Sequence, residues 1–206
     1  MRLDCGFPAW TVDGLFDEPT LASVVAEFPP LDDPRWQTFG GEHEERKQQG
    51  GPPCWGPATT AVLLHLMAPP ILRYVQQLVG IEHLAADVVG GGMHQSGPGA
   101  HLDMHVDFDR HPKTQWRRAV NMLLYLNHGW REEWGGLLHL GSEEKVRIAP
   151  EFGRCVIFRC SDQSWHGHPE PVATGHVRRS IATYFYDMDD VPAGPGHSTV
   201  WRDDDG

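Results

Sequence analysis

From residue 86 onward the chain changes texture, and that change restricts its folds more than any other feature. Short runs rich in Val, Ile, Leu, Tyr and Phe alternate there with Gly, Pro and Asn. The runs fall at roughly 86–95, 100–108, 117–126, 136–140, 145–148, 154–160, 165–172 and 178–186. No segment between them has the length and period of a helix, so the strands must pair with one another. The expected core is a jelly-roll, cupin-like β architecture.

The first 85 residues read differently. Asp17-Glu18-Pro19-Thr20 is a helix-start signal, Leu21, Val24, Val25 and Phe28 follow at helical spacing, and Pro29-Pro30 stops the run. A second helical region runs from Ala58 to about Ile81, interrupted at Pro69-Pro70. Between them, residues 31–58 are rich in Pro, Gly and charge without periodicity, which predicts a long loop. Within it, residues 40–57 are a candidate lid. The expected organisation is a single domain over 1–206. Its parts are a helical and irregular support at 1–85, a mainly β core at 86–186, and an acidic tail at 187–206.

Composition excludes some partners. A formal net charge of −11 argues against nucleic acid, which selects clustered Lys and Arg. No run approaches the ~20 apolar residues of a membrane span. The start Met1-Arg2-Leu3-Asp4-Cys5 lacks the basic-then-apolar pattern of a signal peptide. The expectation is a cytoplasmic protein in which Cys5, Cys54, Cys155 and Cys160, without CxxC spacing, stay reduced. Asp187, Asp189 and Asp190, then Asp203-Asp204-Asp205, read as solvated surface.

With 13 histidines, metal chemistry is open on composition alone. His105-Val106-Asp107 places a histidine and a carboxylate on one strand face, and His166 from a distant strand can complete two imidazoles and one carboxylate. Two ambiguities stand at this level. His101-Leu102-Asp103 has the same spacing, and all four polar residues share a face if the strand is regular. His168 is likewise an alternative to His166, although the proline after it suits a rim position better.

Several further pieces occur in a fixed order from about Gly90 to Tyr186. They are Gly97-Pro98-Gly99, Leu102 to Phe108, Leu124-Tyr125-Leu126-Asn127, Trp130 and Trp134-Gly135-Gly136. Pro150 with Gly153 to Phe158, Ser164 to Pro169, and Arg178-Arg179-Ser180 complete the series. Together they resemble the prolyl-4-hydroxylase-like branch of the Fe(II)/2-oxoglutarate dioxygenases, whose core is a double-stranded β-helix. The resemblance covers nearly half the chain and none of the first 85 residues.

The resemblance implies a metal set of His105, Asp107 and His166 holding Fe(II). It implies that Arg178, Ser180 and Tyr125 bind the far carboxylate of 2-oxoglutarate. Asn121 and Leu123 share the inward face of Tyr125 by strand alternation. Many relatives carry a tyrosine ten positions before the first ligand; here Gln95 stands there, and an amide can still donate to a cosubstrate or substrate. The implied reaction consumes O2 and 2-oxoglutarate, releases succinate and CO2, and hydroxylates a C–H bond, with ascorbate as a supporting reductant. Related halogenases replace the carboxylate ligand, so Asp107 favours hydroxylation.

Substrate-side residues are less marked. Tyr184 and Tyr186 follow Ser180 at even spacing, and Arg118 and His168 are further candidates. Arg118 has the plainer reading of a solvated residue at a strand start, and Glu44-Glu45 suit a cationic substrate. Trp130, Trp134 and Trp165 read as packing residues. The expected substrate is an amino acid, an amino-acid-like metabolite or a peptidyl residue. The rival readings are a cupin-type enzyme that does not use 2-oxoglutarate, and a non-catalytic metal-binding sensor module.

Overall fold

A computed structural model describes residues 1–191 and 193–202. Its strands are β1 (Arg2–Asp4), β2 (Pro8–Asp13), β3 (Gln37–Gly40), β4 (Glu44–Gly50), β5 (Leu84–Val106) and β6 (Arg117–Tyr125). They continue with β7 (Leu138–Leu140), β8 (Val146–Ile148), β9 (Arg154–Arg159), β10 (His166–His168), β11 (Arg178–Asp187) and β12 (Val200–Trp201). The helices are α1 (Glu18–Ala26), α2 (Pro57–Leu66) and α3 (Pro69–Val79). Pairing follows the order β1-β2-β9-β6-β11-β5-β10-β7-β8, with β4 and β12 also on β5. The sheet folds back on itself as a double-stranded β-helix.

Strand alternation sorts β6 cleanly. Val120, Met122 and Leu124 point outward into a core shared with Leu21 and Val24 of α1 and Val62, Leu63 and Leu66 of α2. Each such fully buried aliphatic side chain contributes about 2 kcal/mol. Asn121, Leu123 and Tyr125 take the opposite, inward face. The helices form where expected: Asp17 caps α1 by accepting from the Thr20 amide at 2.9 Å, and prolines open α2 and α3.

Four expectations need correction. The two strands at 86–95 and 100–108 are one bent strand, β5, which pairs with β11, β4, β10 and β12 along its length. The loop expected over 31–58 contains the β3–β4 hairpin, laid against residues Met93 to Leu102 of β5. The N-terminus supplies β2, which pairs with β9 through Ala9 and Phe158. In the tail, β12 pairs with β5 at His105 and Val106. Asp189 and Asp190 form surface ion pairs with His83 and Arg117; Asp203 to Asp205 lie outside the described residues.

Candidate active site

One irregularity of β5 decides the register of the site. His166 on β10 faces His105, whereas His168 faces Leu102, so three steps on β5 match two on β10. The extra residue is a β-bulge, and it inverts the alternation of side chains. Ahead of it the even positions His94, Ser96 and Leu102 line a chamber inside the barrel; beyond it His105 and Asp107 do. His101 and Asp103 turn the other way, partly exposed and 3.9 Å apart, with Asp103 also 3.3 Å from His43. Gly167 is required between the two β10 histidines, since a Cβ there would sit 2.6 Å from the Asp103 carbonyl.

The bulge also corrects the placement of Gln95. The resemblance places Gln95 near the cosubstrate by its position in the sequence alone. Gln95 instead faces away from the chamber, buried, and donates to Gln48 Oε1 at 2.9 Å. His94 occupies the inward position.

His105, Asp107 and His166 meet as a cluster whose donor atoms all lie within 4.8 Å of one another. His105 Nε2 is 3.6 Å from Asp107 Oδ1, and His166 Nε2 is 3.2 Å from Oδ2. Roughly 3 Å between neighbouring donors is what metal–ligand bonds of about 2.1 Å at right angles require. Each imidazole is fixed in the same way. His105 Nδ1 donates to the Asp103 carbonyl and His166 Nδ1 to the Ser164 carbonyl, both at 2.8 Å. A carbonyl only accepts, so Nδ1 carries the proton and Nε2 presents its lone pair to a metal. Burial lowers the His105 pKa and keeps the ring neutral. The three residues fit the facial set of a non-haem Fe(II) centre.

Asp107 has a partner expected at the surface instead. Arg118 is not solvated: its side chain is 1 % exposed, and Nη2 lies 3.0 Å from Asp107 Oδ2. Its guanidinium is held between the rings of Tyr184 at 3.6 Å and Phe108 at 4.4 Å. Asn121 joins the two, accepting from Arg118 Nε at 2.9 Å and donating to Asp107 Oδ2 at 2.7 Å. Burial alone would raise the Asp107 pKa, but Arg118 beside it holds it well below the usual carboxylate range. Asn121 therefore faces the chamber as expected but serves the metal ligand. Leu123 forms an apolar wall beside it. Tyr184 lines the chamber too, with its hydroxyl donating to the Gly90 carbonyl at 3.0 Å.

At the other end stands Arg178, also buried. Its Nε donates to the Gly136 carbonyl at 2.7 Å and its Nη2 to the Tyr125 hydroxyl at 3.2 Å. Gly136 is at φ +65°, and a Cβ there would approach Arg178 Cδ to 3.1 Å, so the Trp134-Gly135-Gly136 turn is shaped around this arginine. Trp130 and Trp134 pack beneath that turn, as expected. Trp165 is only half-buried and joins none of the apolar clusters. Among the described residues Arg178 has no carboxylate partner within 4.0 Å. Ser180 lines the chamber next to it, and Arg179 points away toward Phe28. The chamber between Arg178 and the metal cluster has a volume of about 100 Å³. It is also lined by Lys47, His94 and His168, none of which the sequence reading assigned to the cosubstrate.

A facial His-Asp-His set inside a double-stranded β-helix, with a buried arginine aimed at it, defines the class of non-haem iron oxygenases that take an oxo-acid. Residues 91–186 match the 2OG-Fe(II) oxygenase superfamily, and this core belongs to it. It is a 2-oxoglutarate-dependent iron dioxygenase, with Fe(II) and 2-oxoglutarate as its cofactor pair. No curated protein matches the chain. Solved structures with the same fold include a Pseudomonas putida prolyl-4-hydroxylase, 21% identical, covering 88% of this chain and 93% of that one, with a TM-score of 0.64. A Trichoplax adhaerens prolyl hydroxylase in complex with a hypoxia inducible factor peptide fragment is 17% identical over 89% of this chain and 85% of that one, TM-score 0.59. HygX from Streptomyces hygroscopicus, with nickel, 2-oxoglutarate and hygromycin B bound, is 13% identical over 87% and 83%, TM-score 0.59.

Proposed function

We propose that this enzyme hydroxylates an unactivated C–H bond of an amino acid, an amino-acid-like metabolite or a peptidyl residue, with release of succinate and CO2. The observation that carries the reading is Arg178. A guanidinium buried without a counter-charge is costly, and a carboxylate delivered by a ligand relieves that cost. Its fork, the adjacent Tyr125 hydroxyl and Ser180 are suited to the far end of 2-oxoglutarate. His105, Asp107 and His166 would hold Fe(II), which supplies dioxygen activation when bound. A cupin-type reaction without an oxo-acid leaves Arg178 unexplained.

The protein's part is positioning. The bulge in β5 aims His105 and Asp107 inward, the two backbone carbonyls set the imidazole tautomers, and Arg118 with Asn121 fixes the Asp107 carboxylate in place. An intact carboxylate ligand favours hydroxylation over halogenation. The substrate reading draws support from two neighbours, one seen with a peptide fragment and one with hygromycin B. The test is succinate formation from 2-oxoglutarate by the Fe(II)-loaded protein in air, screened against free amino acids and short peptides for stimulation. Stimulated succinate release with a mass gain of one oxygen in the substrate is expected. Iron binding without succinate under every condition would contradict the reading.

A further inference from the structure

Resting on that reading, we propose that the substrate of this chamber carries a free carboxylate, and that Lys47, flanked by His94 and His168, receives it. Lys47 comes from the β3–β4 hairpin, not from the oxygenase core. A bulge between Glu45 and Lys47 puts Arg46 at φ 52°, a strained value for a residue with a side chain, and turns Lys47 inward. Lys47 pairs with Ser96, which pairs with Arg178, so the three form one row across β4, β5 and β11. Their side chains line the same chamber. Arg178 is buried at the closed end, while Lys47 is half-exposed, as are Leu102 and Asp107. An entering substrate passes Lys47; the bound cosubstrate lies beyond it.

The surroundings of Lys47 are short of acceptors. Among the described residues the ammonium has one carboxylate partner, Glu44 at 2.9 Å, and two N–H groups remain. His168 is 4 % exposed and, among the described residues, its Nδ1 has no hydrogen-bond partner and the shielded Nε2 of His94 has none either. Buried polar nitrogens without partners are uncommon and costly, and a carboxylate entering between them would satisfy them. Burial, with Lys47 and Arg178 nearby, takes His94 down to about 3, so its ring is neutral and offers an N–H without adding charge.

Charge balance points the same way. A divalent metal with Asp107 and Arg118, together with Arg178, exceeds the two negative charges of 2-oxoglutarate by one positive charge. Lys47 and Glu44 cancel. A substrate with one carboxylate closes the balance, whereas a cationic substrate would worsen it. The Glu44-Glu45 pair expected to suit a cation is already engaged, Glu44 with Lys47 and Glu45 with Arg46 at 3.4 Å.

The experiment titrates the anaerobic Fe(II)–2-oxoglutarate complex of the full chain with free and N-acetylated amino acids, and with the matching carboxamides. The visible band of the chelated oxo-acid reports binding. At least one acid should perturb the band with half-saturation about 10- to 100-fold below that of its amide, the range of a charge-assisted contact. Lys47→Met should erase that gap and Lys47→Arg should keep it, both with an unchanged 2-oxoglutarate requirement for the band. The proposal is overturned if amides match acids, if no acid perturbs the band, or if Lys47→Met leaves the gap intact. It is equally overturned if Lys47→Met weakens 2-oxoglutarate binding, which would make Lys47 a cosubstrate residue. If the wild-type protein forms no band, the cosubstrate reading itself has failed and this assignment falls with it.

Discussion

Two buried arginines face the same chamber from opposite ends, and their chemistry is opposed. Arg118 lies against Asp107, packed between Tyr184 and Phe108. Among the described residues Arg178 has a carbonyl and a phenol for company and no carboxylate. Burial alone would lower the pKa of both; at Arg118 the Asp107 carboxylate outweighs it and the pKa rises, while at Arg178 it falls. A buried cation with its counter-ion in place is part of the architecture. A buried cation without one marks where a ligand's charge belongs.

The largest expected effect comes from breaking the satisfied end. Arg118→Met strands the Asp107 carboxylate in the barrel and should lower the stability of the metal-free protein by about 3–5 kcal/mol in urea denaturation. The same substitution at the other end should do the reverse. Arg178→Met removes an uncompensated cation, so metal-free stability should hold or rise, while 2-oxoglutarate affinity drops about 10- to 100-fold by calorimetry. If both variants destabilise alike, the distinction between the two arginines fails.

A smaller effect separates His94 from both arginines. Its folded pKa of about 3 lies below an unfolded value of about 6.5. Between those values the unfolded chain binds the extra proton, so this stabilisation is complete above pH 6.5 and drains away as pH falls toward 3. By pH 5.5 the loss is about 1 kcal/mol, and His94→Gln should flatten that part of the stability–pH curve. The smallest effect sits on the far side of the bulge. His101→Ala should leave metal affinity unchanged by calorimetry, whereas His105→Ala should abolish it.

The contrast between these positions shows what the sequence could disclose. His105, Asp107, His166, Arg178 and Tyr125 were legible because ordered motifs carry them, and the strands from 117 onward because their apolar alternation is strong. The bulge between Leu102 and His105 was not, since one extra residue leaves no compositional mark yet inverts the side chains just before it. Gln95 follows from position in the resemblance alone, whereas His94 is the residue that the folded strand turns into the chamber. Arg118 was misread because a charge at a strand start is usually solvated; only the fold brings Asp107, Asn121 and two aromatic rings around it. The β3–β4 hairpin is polar on both faces, so it carries no periodic signal, and Lys47 went unnoticed with it. Trp201, whose ring centroid is 5.3 Å from that of His105, was hidden in a short strand of two residues.

The most direct test of the central claim is an anaerobic titration of the metal-free protein with Fe(II) and then 2-oxoglutarate, following the visible charge-transfer band of the chelated oxo-acid in wild type and in Arg178→Met. A band is expected in the wild type that saturates with 2-oxoglutarate and that needs far more of it in the variant. Iron binding without a band, or a band indifferent to Arg178, would contradict it.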